Sequence, residues 1–155
     1  MNPHPNMSLS RNRLLAVLPP ETLSRWLPYI EELEMPAGQV LYESGVHMDH
    51  VYFPTTAVVT LICLLEDGSS TDIGVVGNEG LVGISLFMGG GSTPSRAIVQ
   101  IAGHGFRLNA ATLLAEFERS GPALHLLLRY TQALITQMTQ TAVCNRHHSI
   151  EQQLC

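Results

Sequence analysis

The sequence predicts a mainly β domain, a sandwich or barrel-like roll, set between helical ends. Three observations predict it. Between residues 35 and 108, short β-rich runs recur with turn residues between them: QVLYE, HVYFP, AVVTLICLL, TDIGVV, AIVQIAG and FRLN. On either side of that region the apolar residues fall at helical spacing instead. The chain has 155 residues, 45% of them apolar and 14% charged, which suits one packed domain with a sizeable core.

Residues 1–34 read as helices. LLAVL follows Ser10-Arg11-Asn12-Arg13, and Pro19-Pro20 breaks the chain. Pro20 suits the first position of a second helix, ETLSRWLPYIEEL, with Leu23, Trp26, Leu27 and Ile30 on one face and Pro28 as a kink or an early end. The β segment takes residues 35–121. Gly38 and Gly45 bracket QVLYE as turn residues, and Glu66-Asp67-Gly68 marks a tight turn. The tract from Gly77 to Pro94 is the longest irregular piece, and such a tract inside a compact β domain is usually functional. NAATLLAEFERSG reads as a short helix with Asn109 as N-cap and Gly121 as C′ residue.

Pro122 opens a longer helix, residues 122–147. Leu124, Leu128, Thr131, Ile135, Met138 and Ala142 alternate four and three apart, a coiled-coil-like seam, and Leu127 and Leu134 widen it toward the body of the domain. At 1.5 Å per residue the helix runs about 37 Å, longer than a domain of this size. Part of it therefore projects and needs a partner, and a homodimer is expected.

Composition narrows the function classes. Net charge is −5, and the eight basic residues are all arginines, scattered from Arg11 to Arg146. Phosphate-backbone binding needs concentrated positive charge, so these residues alone make a poor nucleic-acid binder. No apolar run reaches 18 residues and the N-terminal stretch has no apolar secretory core, so a cytoplasmic chain without a membrane span is expected. Cys63, Cys144 and Cys155 form no C-x-x-C pair, and Cys63 reads as a small core residue. His47 and His50 lie three apart on a strand and point to opposite faces, and His147 and His148 diverge likewise, so no metal site is expected. A cupin-like metalloenzyme would want a His-x-His pair with a downstream acid, which GVHMDHVYFP does not supply. No Gly-x-Ser-x-Gly elbow is present, and no catalytic residue is assigned.

Two helices, a β-roll with a glycine-rich loop, a short helix and a long helix, in that order, resemble the cyclic-nucleotide-binding domain. GQVLYESG (38–45), HVYFP (50–54), LLEDGSSTDIGVVGNEGLVG (64–83), SRAIVQIAG (95–103) and CNRHHSIEQQLC (144–155) resemble the Crp-Fnr family of bacterial transcription regulators. The resemblance covers nearly the whole chain. It implies a double-stranded β-helix, or jelly roll, acting as sensor, a long C-terminal dimerisation helix, and a winged helix-turn-helix domain that alone would touch DNA. Residues 148–155 would be the truncated start of that last domain.

The resemblance also implies a phosphate cassette in the loop 77–97, with cyclic AMP or cyclic GMP as the candidate ligand and no other cofactor. Gly83 matches its first glycine, Arg96 its phosphate arginine, and Ala97 the small residue after it. Ile84 stands where the family has a glutamate for the ribose hydroxyl. Losing such a charge-assisted hydrogen bond costs roughly 1.5–3 kcal/mol. Glu79 is no substitute, because it lies 17 positions before Arg96, whereas Ile84 lies 12 before it and the extra length falls in Gly89-Gly90-Gly91. The long helix would bring Met138 or Thr139 near the base, and of these Thr139 can hydrogen-bond. On spacing alone, Arg96 could instead pair with Glu79 or Asp72. The expected function is an effector-sensing and dimerisation module that binds a cyclic nucleotide or another small anion. The alternative is a ligand-free dimerisation domain with a degenerate cassette, and a cupin-like metalloenzyme is the more distant reading.

Overall fold

The computed structural model describes residues 9–86, 95–119 and 121–151, with side chains as far as residue 141. Two short helices lead. α1 (Arg13–Ala16) is capped by Asn12, whose side chain accepts from the N–H groups of Leu14 and Leu15. α2 (Pro20–Trp26) begins on proline, whose missing N–H would be unsatisfied at a helix start in any case. Seven strands follow: β1 (Glu31–Met35), β2 (Val40–Tyr42), β3 (His50–Pro54), β4 (Val58–Leu64), β5 (Ser70–Val76), β6 (Ser95–Ile101) and β7 (Gly103–Asn109). A 3₁₀ turn (Ile84–Leu86) lies between β5 and β6, and helices α3 (Ala110–Glu118) and α4 (Pro122–Glu151) close the chain.

The strands form two antiparallel sheets, β1-β7-β3 and β2-β6-β4-β5. Strand alternation gives each sheet two faces. On β3 and β7, Val51, Phe53, Phe106 and Leu108 turn toward the helices and pack with Leu15, Trp26, Leu113 and Leu127. A second core, inside the roll, joins Met35 of β1 to Val59, Leu61, Val76, Ala97 and Val99 of the four-stranded sheet. α4 enters both cores, with Ala123 and Leu127 in the first and Leu134 in the second. That crossing ties the helix to the roll.

The mainly β roll with flanking helices and a long C-terminal helix is thus present. Gly38, Gly45 and Gly68 sit at positive φ in the turns expected of them, and Asn109 caps α3 through Thr112 N–H at 2.8 Å. Four expectations are corrected. The second helix takes the early end expected at Pro28, stopping at Trp26, but EELEM, whose first residues fall in the expected helix, is strand β1, paired with β7 from Glu31↔Arg107 to Met35↔Gly103. Pro28 has no N–H to continue the helix, and the ladder to β7 buries Met35. The N-terminal helical segment therefore ends before residue 31, not at 34. Gly121 lies two residues past Arg119, the C-cap of α3, and so is not the C′ residue. No break marks residue 148: α4 runs as one helix through Glu151. Cys63 is half-buried at the end of β4 rather than a core residue.

Candidate functional site

The loop leaving β5 is fixed from three sides before it reaches the cassette. Asn12, fully buried, donates its amide to the carbonyls of Gly80 and Pro54, each at 2.8 Å. Arg13 N–H donates to the Asn78 carbonyl at 2.7 Å. Val82 exchanges both backbone hydrogen bonds with Tyr52 of β3 at 2.8 and 3.0 Å, and Leu81 is buried in the first core. Gly83 follows at φ 116°, a conformation that L side chains rarely adopt, and a Cβ there would lie 3.1 Å from the Val51 side chain. The chain then turns into the 3₁₀ segment at Ile84.

Ile84 is half-buried and packs against both cores. Its surroundings are apolar, with Tyr42 and Tyr130 also reaching both cores. Ala97 is fully buried, facing Tyr42 on one side and Leu61 on the other in the ladder. Ile84 and Ala97 thus border the interior of the roll, while Gly83 sits against Val51 of the helix-side core.

Arg96 does not share that side. Between Ser95 and Val99 the pairing of β6 with β4 is regular, and Ser95, Ala97 and Val99 are buried while Arg96 and Ile98 are less so. Arg96 therefore leaves the strand on the opposite face. Its guanidinium pairs with Glu43, just past β2, at 3.1 Å, and its side chain is 30% exposed. Glu79, one of the alternatives read from spacing, instead accepts from Gly77 N–H. The Arg96 Nε is buried with no hydrogen-bond partner among the described residues.

On the inner side near β6, the polar groups are hydroxyls. Tyr42 is hydrogen-bonded to Ser95, and burial, partly offset by that bond, pushes its phenol up. Burial also raises the Tyr52 phenol, against the pull of nearby Arg107. Arg107 lies opposite both Tyr52 and Glu31 in the three-stranded sheet and pairs with Glu31 at 3.2 Å. Phe106 and Leu108 face the helix-side core, so Arg107 is on the inner face of that sheet.

From α4, Met138 faces the roll, where a Cβ on Gly74 would lie 3.2 Å from Met138 Cγ. Thr139 is exposed and donates its hydroxyl to Ile135 O of its own helix at 2.9 Å. Of the seam residues, Leu128 and Ile135 are 43% and 39% exposed, Leu124 is half-buried, and the Ala142 side chain lies outside the described residues. Residues 87–94 of the cassette also lie outside them. Three residues that matter to this loop carry no local signal: Asn12, Gly80 and Tyr130. Asn12 precedes an apolar run and Tyr130 sits in a helical stripe, and neither position hints at a partner dozens of residues away.

Among the described residues no group of three His, Cys, Asp or Glu could hold a metal ion, and no helix is long and apolar enough to cross a membrane.

A β-roll of two antiparallel sheets, entered by a glycine-led turn and crossed by a long helix, is the architecture these elements build. The sequence profile of the cyclic nucleotide-binding domain matches residues 32–120, more than half of the chain, and the chain belongs to that family. Domains of that family are typically parts of non-enzymatic regulators. No curated protein matches the chain. Solved structures share the fold. A putative cyclic nucleotide-binding protein from Geobacter metallireducens GS-15 is 18% identical with a TM-score of 0.70, over 88% of this chain and 99% of that one. The sensor domain of the transcriptional regulator DNR from Pseudomonas aeruginosa is 16% identical with a TM-score of 0.66, over 83% and 91%. The catabolite activator protein of Thermus thermophilus is 22% identical with a TM-score of 0.59, over 83% of this chain and 59% of its own length.

Proposed function

We propose that this chain is the effector-sensing and dimerisation module of a bacterial, cytoplasmic Crp-Fnr-type transcription regulator, with a cassette that is degenerate for cyclic nucleotides. One observation carries the second half of that reading: the two residues that should hold the nucleotide are engaged elsewhere. Arg96 leaves β6 away from the roll interior and is paired with Glu43, and Ile84 is packed into apolar cores. A ribose hydroxyl facing Ile84 would lack an acceptor, and burying an unpaired hydroxyl is costly. The exposed Leu128 and Ile135 on α4, seven apart, support the dimer. DNA contact belongs to a further domain, since the arginines here are scattered and the net charge is −5.

A second reading, binding of cyclic AMP, cyclic GMP or another small anion, is favoured by the buried Arg96 Nε, which lacks a partner among the described residues. Calorimetric titration separates the two. The degenerate cassette predicts no heat with either nucleotide for the native chain, and none in Ile84→Glu, where Arg96 still leaves the far face of β6. Micromolar binding to the native chain that vanishes in Arg96→Ala would establish the second reading instead. Sedimentation of the native chain tests the dimer independently.

A further inference from the structure

Resting on the sensor reading above, we propose that Tyr130 of α4 is the positioning residue that couples the dimerisation helix to the cassette loop, with Gly80 as its seat. The Tyr130 hydroxyl donates to the Leu81 carbonyl at 3.1 Å, across 49 positions of sequence. Its ring packs against both cores. Burial pushes the phenol well above its ordinary value, so the hydroxyl stays protonated and keeps donating.

Gly80 makes the contact possible by having no side chain. A Cβ there would overlap the Tyr130 hydroxyl and ring, at 2.2 Å from the Oη and Cε1 atoms. Other contacts hold the same segment to the N-terminal helix and to β3, through Asn12 to Gly80 O and Val82 to Tyr52. Gly83, the first cassette glycine, is three residues further on. A displacement of Gly83 and Ile84 by an effector therefore reaches the Leu81 carbonyl through a short, well-held segment. Tyr130 is the side chain of α4 that hydrogen-bonds to that segment among the described residues. Two turns along, Met138 rests against Gly74 on the strand that feeds the loop. The helix thus touches the β5–cassette connection at two points. By linkage, any partner that shifts α4 also shifts the loop, and the reverse holds equally.

Amide hydrogen exchange on the native chain tests the coupling without an effector. In Tyr130→Phe, the ring stays and the hydrogen bond goes. The Val82 and Leu86 amides, which close the loop, should exchange about threefold to tenfold faster, the size of one net hydrogen bond, with β4 and β6 amides unchanged. In Gly80→Ala the same amides and those of α4 after Tyr130 should speed up. The Gly80→Ala effect should largely disappear in a Tyr130→Ala background, where no ring remains to collide with. Unchanged Val82 and Leu86 amides in Tyr130→Phe would overturn the proposal. So would acceleration spread evenly over β4 and β6, or a Gly80→Ala effect independent of Tyr130. A native chain that sediments as a monomer would remove the dimerisation-module reading, and the exchange data would still decide the Tyr130 contact by itself.

Discussion

Asn12 makes four hydrogen bonds from one buried side chain. Its oxygen caps α1 through Leu14 and Leu15, and its amide holds the carbonyls of Pro54 and Gly80. Asn12→Ala removes the cap and leaves two carbonyls without a donor, and should lower stability by about 2–4 kcal/mol in urea denaturation. Glu116 makes a comparable link between α3 and α2. Hydrogen bonding from the Arg25 guanidinium, at 2.9 Å from Nε, together with the Thr22 hydroxyl, holds its carboxyl below the usual carboxylate range, against burial. A carboxylate held low binds fewer protons folded than unfolded. Its contribution is therefore complete above the ordinary carboxylate value of about 4.5 and is lost as pH falls through the lower folded value. The urea midpoint should drop as pH falls below about 4.5. Glu116→Gln should be less stable at pH 7 and should show a flatter acid limb. Ile84→Glu places a carboxylate among apolar side chains and should cost about 1–3 kcal/mol, read in the same assay.

Among the elements, β7 is held most closely at its start. Gly103 faces the turn before β4, where a Cβ would lie 2.4 Å from Ala57 N and 2.5 Å from the Thr56 carbonyl carbon. The N–H groups of Thr55, Thr56 and Ala57 all converge on the His104 carbonyl at 3.0–3.2 Å, so this backbone has little room to yield. Gly103→Ala should cost about 2–3 kcal/mol, as overpacking against backbone does. Gly68→Ala at the β4–β5 turn adds its methyl to open space and should cost only the roughly 1–2 kcal/mol of a left-handed backbone. Comparing the two by thermal unfolding checks that close approach, more than turn conformation, sets the requirement for glycine at 103. The strand-rich middle, the turn glycines and the Asn109 cap were all legible in local pattern. β1 was not, because EELEM carries helix-compatible residues and becomes a strand only by pairing with β7, from Glu31↔Arg107 to Met35↔Gly103, far along the chain.

For the whole molecule, the rotation of α4 about its axis decides which residues serve the fold and which remain for a partner. Leu127 and Leu134 are buried against the roll, while Leu128 and Ile135 are exposed. Leu127→Ala should cost about 2–5 kcal/mol of stability. Leu128→Glu and Ile135→Glu should leave the unfolding midpoint of the monomer nearly unchanged and weaken self-association, measured by sedimentation across a concentration series. The seam read from spacing mixes the two sides: Met138 rests against Gly74, and Thr131 is buried with its hydroxyl on Leu127 O. A four-and-three alternation identifies a stripe on a helix, but its boundary with the next stripe depends on what the helix packs against.

The sequence by itself determined the class of fold and the turns at positive φ, because these rest on local periodicity and on residues with special backbone freedom, and its resemblance to known regulators pointed to the family. Tertiary structure decided what the residues flanking this loop touch. Gly83 stands at positive φ and Ile84 packs against both cores. Arg96 is turned away from Ala97 by strand alternation and held by Glu43, and the loop is fixed by Asn12 and Tyr130. Those outcomes depend on strand register and on contacts across 49 to 68 positions, and a local pattern records neither.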